Sequence, residues 1–141
     1  MADKPGRGPG DLAPDAVRAI EWECARLVNL YAQLNDAARW DELAALYAHD
    51  GSMTRPTAPD APIVGREALL AAFLARPPRT SQHVVGNIVV EVESEDAASA
   101  KSVILLFTSK DGPSLIGTYG DRFVRTHEGW RFSERRGALT W

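Results

Sequence analysis

From Pro14 to about Asn35 the apolar residues Val17, Ile20, Cys24, Leu27, Val28, Tyr31 and Leu34 recur at steps of three and four. That spacing gathers them on one face of an amphipathic helix, and Pro14 suits its first turn, where a backbone N–H has no partner to lose. A shorter second helix is predicted from Trp40 to about Tyr47, with Leu43, Leu46 and Tyr47 turned inward. Asp41 and Glu42 sit near its start, where the helix dipole favours negative charge. The HDG that follows reads as a stop, with Gly51 as the cap. A brief strand near Ser52–Arg55 then enters a proline-rich loop, PTAPDAP, and GREALLAAFLAR reads as a third helix halted by Pro77 and Pro78.

Beyond the prolines the period changes from helical to alternating. Segments near 83–93, 98–109, 114–126 and 130–140 are strand-like and are divided by the turn signals SED, KDGP and THEG. Helices first and a meander of long antiparallel strands afterwards is an α+β arrangement. A strongly curved sheet of this kind wraps a long helix as a cone and leaves a pocket at its open end. Gly86, Gly117 and Gly120 lie inside strands, where they permit the bends and bulges that curvature needs.

Composition narrows the class without naming it. The chain has 141 residues, enough for one domain, with 45% hydrophobic and 25% charged residues, as in a water-soluble globule. A net charge of −3 offers no basic field for nucleic acid. Arg125, Arg131, Arg135 and Arg136 cluster near the C-terminus, but Asp121, Glu128 and Glu134 are interleaved, as on a solvated sheet face. Cys24 is the one cysteine and falls on the apolar phase of the first helix, so an inert buried thiol is expected. No apolar run reaches the ~18 residues of a membrane span. The opening MADKPGRGPGDLAP has no secretory hydrophobic stretch and reads as a mobile tail over residues 1–13, so a cytoplasmic location is the expectation.

The candidate chemistry starts at SQHVVGN, where an imidazole opens a strand among valines. Alternation places His83, Val85, Asn87 and Val89 on one face and Val84, Ile88, Val90 and Val92 on the other. A bulge at Gly86 would switch that parity partway, and then His83 and Asn87 need not share a face. The wholly apolar side is the natural partner of the helices, and periodicity alone leaves open whether His83 meets a pocket or solvent. Asp36, behind the first helix, could be a loop residue or an N-cap. Arg39 stands where a capping box would need Glu or Gln, and a carboxylate near a helix C-terminus meets the unfavourable end of the dipole. His49 and His127 read as surface residues. Ligand spacings such as H-x-H or C-x-x-C, phosphate loops and nucleophile elbows are absent, so no metal and no cofactor is expected.

The order αα-β-α-ββββ, the phrases WDELAALYAHDG and IVGREALLAAF, and the ending GTYGDRFVRTHEGWRFSERR resemble the nuclear-transport-factor-2-like superfamily, and within it the SnoaL-like proteins. The resemblance covers about residues 15–140. It is nearest to the subgroup of scytalone dehydratase, bile-acid 7α-dehydratase and hexachlorocyclohexane dehydrochlorinase, which implies an Asp–His pair in a pocket used for eliminations. Asp36 in YAQLNDAARWDEL holds the place of that Asp, and His83 and Asn87 in SQHVVGN hold those of the His and Asn. Tyr31 occupies the place of a tyrosine five residues before the Asp. Scytalone dehydratase uses a second histidine farther along its sheet, and no histidine occurs here between His83 and His127.

The expectation is therefore a cofactor-independent lyase acting on a small hydrophobic, carbonyl-bearing or cyclic substrate. His83 is the candidate base, Asp36 its orienter, and Tyr31 a donor to a carbonyl oxygen or leaving hydroxyl. Asn87, Tyr119, Arg125, Trp40 and Tyr47 are candidate substrate contacts, with Trp141 as pocket wall or core. An isomerase or polyketide-type cyclase on the same scaffold is the alternative, and a non-catalytic hydrophobic-ligand-binding domain is another. The resemblance also implies self-association as a homodimer or homotrimer.

Overall fold

The computed structural model describes residues 8–141. The expected tail lies outside the described residues up to Arg7. From Pro9 to Asp11 the chain makes a 3-10 turn, and Leu12 packs on the core, so this part of the 1–13 segment is docked. The elements are α1 (Pro14–Asp36), α2 (Trp40–Ala44), β1 (Tyr47–Arg55), β2 (Ala58–Val64), α3 (Arg66–Leu74), β3 (Gln82–Val92), β4 (Ala97–Phe107), β5 (Leu115–Thr126) and β6 (Gly129–Leu139). One six-stranded sheet runs in the order β2-β1-β6-β5-β4-β3, antiparallel throughout except where β1 lies parallel to β6.

The sheet curves round α1, which packs on β3, β4 and β6. The helix buries the stripe anticipated from its period: Ile20, Cys24, Leu27, Val28, Tyr31, Ala32 and Leu34. This α+β cone has its tightest packing where Tyr47, Phe73, Phe123, Phe132, Leu43, Leu69, Val28 and Cys24 lose all contact with solvent. Burial, with Glu23 adding to it, pushes the Cys24 thiol up to about 12, so it stays protonated and packs as a small apolar group. Among the described residues no helix is long and apolar enough to cross a membrane.

Two local expectations are corrected. The second helix ends at Ala44, and the HDG expected to cap it lies inside β1. A bulge between Tyr47 and Ser52 accommodates Gly51, where a Cβ would press within 3.0 Å of the carbonyl oxygens of Ala48 and Phe132. The proline-rich stretch also pairs: β2 lies antiparallel to β1 at the sheet edge, the one place where prolines lose no ladder bond. The turn between β1 and β2 is drawn against β6, since a Cβ at Gly137 would lie 2.6 Å from the Pro56 ring. That close approach brings Arg55, Pro56 and Thr57 over the open end of the cone.

α1 stops in a way that decides where Asp36 points. Arg39 N–H donates to the Leu34 carbonyl at 3.0 Å and Ala38 N–H to the Asn35 carbonyl at 3.1 Å, the two bonds of a Schellman motif. Ala38 takes the left-handed position at φ 54°, where glycine is the favoured residue. Asp36 is thereby fixed as the last helical residue, facing the start of β3. Replacing Ala38→Gly relieves the strain and should stabilise the fold by about 0.5–1 kcal/mol, a rise of a few degrees in melting temperature. Calorimetry checks it, and a loss of stability would mean the helix end is held by other forces.

Candidate active site

The first strand after α3 begins against the end of α1. His83 Nδ1 lies 2.5 Å from one carboxylate oxygen of Asp36, and the His83 backbone N–H donates to the other at 2.7 Å. Ser81 Oγ–H donates to Asp36 as well, at 3.0 Å. Three donors thus converge on one carboxylate at the negative end of a helix, an arrangement that offsets the dipole's cost there. In a neutral imidazole an acceptor-only carboxylate favours the tautomer with its proton on Nδ1 and the lone pair on Nε2. The two side chains keep only 7% (His83) and 14% (Asp36) of their exposure.

Strand parity explains how His83 comes to face inward. The β3–β4 register slips between Gly86 and Val89, with Asn87 in the left-handed region at φ 51°. Before this bulge His83 and Val85 turn inward, and after it Ile88, Val90 and Val92 do. Val84, expected on the apolar core side, is 48% exposed.

His83 forms part of the wall of a cavity of about 340 Å³ at the open end of the cone. Met53, Ile104, Leu106, Leu115 and Leu139 give it an apolar lining, and Tyr31 and Tyr119 bring hydroxyls. Tyr31 accepts a hydrogen bond from Tyr47 Oη at 3.0 Å and directs its own proton toward the Met53 sulfur at 3.7 Å, a weak acceptor. Burial raises the Tyr31 phenol above its ordinary range against the opposing pull of Arg135, so it remains a donor near neutral pH.

Beneath the tyrosines lies a buried ion pair. Arg135 Nε sits 3.1 Å from Asp121, though off the alignment of a full hydrogen bond, and both residues are 2% exposed. The guanidinium carbon is 3.7 Å from the centre of the Tyr119 ring and 4.3 Å from that of Tyr31. Burial pushes the Asp121 carboxyl up to about 6, with Arg135 opposing the rise. Arg135 remains cationic: burial disfavours its charge, but Asp121 and the surrounding phenols outweigh that. Arg135 and Asp121 therefore depart from the solvated-face expectation, because aromatic rings on both sides shelter a charge that alternation assigns to the surface.

A family model, SnoaL-like domain, matches residues 17–136. The chain belongs to the SnoaL-like family. Solved structures share its fold across nearly the whole length. A proposed scytalone dehydratase from Novosphingobium aromaticivorans is 26% identical, with a TM-score of 0.78 over 92% of this chain and 89% of that one. A nuclear-transport-factor-2-like protein of cystatin-like fold from the same organism is 26% identical, with a TM-score of 0.77 over 94% and 92%. A type 2 hexachlorocyclohexane dehydrochlorinase is 18% identical, with a TM-score of 0.78 over 92% and 90%, a likeness of fold. No curated protein sequence matches the chain.

Within this SnoaL-like cone, His83, Asp36, Tyr31 and Tyr119 are brought together at or beside the cavity. The expectation of Tyr47 as a substrate contact is corrected: it is wholly buried behind Tyr31, to whose hydroxyl it donates, and does not line the cavity. Trp40, expected as a substrate contact, does not line the cavity either: its ring centre lies 5.3 Å beneath the Arg76 guanidinium, which does. Three further expectations are corrected. Asn87 is exposed on the bulge and does not line the cavity, because the parity switch turns it away from His83. Arg125 is exposed and stacks on Trp130 at 5.8 Å, on the far part of β5. Trp141 is 86% exposed and belongs to neither wall nor core. The reading of sequence did not single out Ser81, Arg55, Arg76 or Arg79. Ser81 lies two residues before His83, and that proximity was the available signal.

Asp121→Ala leaves the sheltered Arg135 cation without its counter-charge and should cost about 3–5 kcal/mol in urea unfolding. The double variant Asp121→Leu with Arg135→Met should regain most of that loss. A single-variant cost below about 1 kcal/mol would mean that the pair does not hold the cavity floor.

Proposed function

We propose that this protein is a cofactor-independent lyase that eliminates water or another leaving group from a small cyclic, carbonyl-bearing substrate. The observation that carries the reading is the 2.5 Å contact between His83 Nδ1 and Asp36 on the wall of an apolar cavity. With Nδ1–H held by the carboxylate, Nε2 is the base. It takes a proton from the carbon next to the carbonyl, and the C–H electron pair becomes the new C=C bond. The bond to the departing oxygen breaks, and the imidazolium returns its proton to that oxygen to give water. Asp36 stabilises the imidazolium while it lasts, and the protonated Tyr31 phenol can turn from the Met53 sulfur toward the carbonyl oxygen. Membership of the SnoaL-like family, and fold neighbours that include a proposed dehydratase and a dehydrochlorinase, support a small-molecule-converting enzyme. An isomerase would use the same base and return the proton to another carbon, which the product distinguishes.

The test uses 3-hydroxycyclohexanone and its fused-ring analogues, with the conjugated enone followed by absorbance and α-proton exchange in D₂O by NMR. His83→Ala should lose both activities by on the order of 10²–10⁴, and Asp36→Asn should lose most of them while the fold is kept. Wild-type rates in His83→Ala would sink the mechanism.

A further inference from the structure

The cavity wall carries three cations that the elimination described above does not use. Arg55 comes from the end of β1, Arg76 from just past α3, and Arg79 from the loop before β3. Among the described residues, no aspartate or glutamate lines the cavity with them. Elsewhere in the chain Arg18, Arg39, Arg66, Arg135 and Arg136 each stand in an ion pair. Among the described residues, Arg55, Arg76 and Arg79 stand in none, as do Arg26, Arg122, Arg125 and Arg131, but only these three line the cavity. The Arg55 Nε is buried with no hydrogen-bond partner.

Arg76 is held in place by neutral groups alone. It donates to Asn35 Oδ1 at 3.0 Å, and its guanidinium lies over the rings of Phe73 at 4.8 Å and Trp40 at 5.3 Å. Such contacts fix the orientation of the fork without spending its charge. Burial lowers the Arg76 pKa below the ordinary arginine range, and the neighbouring Arg55 and Arg79 charges lower it further. This local excess of positive charge arises in a chain whose net charge is −3, so it is not a reflection of overall composition.

We propose that the ligand of this cavity is an organic anion, an apolar ring body bearing a carboxylate or phosphate group, seated by Arg55, Arg76 and Arg79. Guanidinium forks match both groups in geometry, and the anion relieves the mutual repulsion of the three cations. The apolar wall takes the ring body, since a volume of about 340 Å³ exceeds twice the roughly 150 Å³ that holds one benzene ring. The inference rests on reading this cavity as the substrate site, and it holds whichever reaction His83 performs.

Calorimetric titration of the full chain with 2-naphthoate, 2-naphthyl phosphate and the neutral 2-naphthamide tests it, in wild type and in His83→Ala. Either anion should bind at least about 10-fold more tightly than the amide at low salt, with the advantage shrinking as salt rises. Naphthoate leading would assign a carboxylate, and naphthyl phosphate leading a phosphate ester. Arg79→Gln, an exposed and fold-safe change, and Arg76→Met should each cut the anion preference several-fold and leave amide binding unchanged. Equal or tighter binding of the amide, no binding of any probe at millimolar concentration, or a preference that survives both variants would overturn the proposal. Anion preference without α-proton exchange would sink the lyase reading alone, and exchange without anion preference would sink this inference alone.

Discussion

A carboxylate placed on the last residue of α1 faces the wrong end of a helix dipole, and the open end of the cone is organised around correcting this. The dipole costs Asp36 some tenths of a kcal/mol, whereas each hydrogen bond to a charged acceptor contributes about 1.5–3 kcal/mol before ordering costs. The backbone N–H of His83, its Nδ1–H and the Ser81 hydroxyl supply three such bonds. The balance is clearly favourable, and it ties the end of α1 to the first residues of β3. The same tie orients the imidazole, so one contact both closes the fold and fixes which ring nitrogen faces away from Asp36.

The floor of the cavity solves a different problem, that of keeping a cation inside. Arg135 is enclosed by Tyr31, Tyr119 and Phe132, whose ring faces are attractive to positive charge, and it faces Asp121 across 3.1 Å. Desolvating both charges makes such a pair weak evidence for net stability. Its clearer effect is positional. Tyr31 and Tyr119 lean on a planar group that cannot rotate away without exposing an unpaired charge. The hydroxyl chain from Tyr47 to Tyr31 to Met53 is held in turn.

Much of the architecture was legible from periodicity, because α1 and the four long strands each present a continuous amphipathic pattern. The stripe from Ile20 to Leu34 and the segments from Gln82 onward follow it closely. The α2–β1 boundary was not, since Leu46 and Tyr47 satisfy a helical and a strand phase equally, and Gly51 serves a bulge as well as it would serve a cap. The Pro-rich β2 was hidden for a similar reason: proline argues against a strand everywhere except at an edge, and edge position is a property of the assembled sheet. The nearness of Asp36 and His83 came from resemblance, not pattern. Gly86 marked the bulge that removes Asn87 from the cavity, but only the register shows which side of it faces inward. Arg135 and Asp121 read as surface because alternation of charge carries no information about the rings that would enclose them.

The three cavity arginines illustrate most sharply what a linear reading misses. Arg55, Arg76 and Arg79 belong to separate segments, and each looks solvated in its own neighbourhood. They meet only because Gly137 lets the Pro56 turn close on β6, while the prolines after Arg76 end the extension of α3 and lead the chain back toward the cavity. A raised, protonated Tyr31 phenol can donate one hydrogen bond but cannot neutralise charge. Guanidinium groups cannot give up a proton near neutral pH, but they neutralise charge without reorganising. The cavity wall thus sets an imidazole held by a carboxylate apart from a cluster of fixed positive charge.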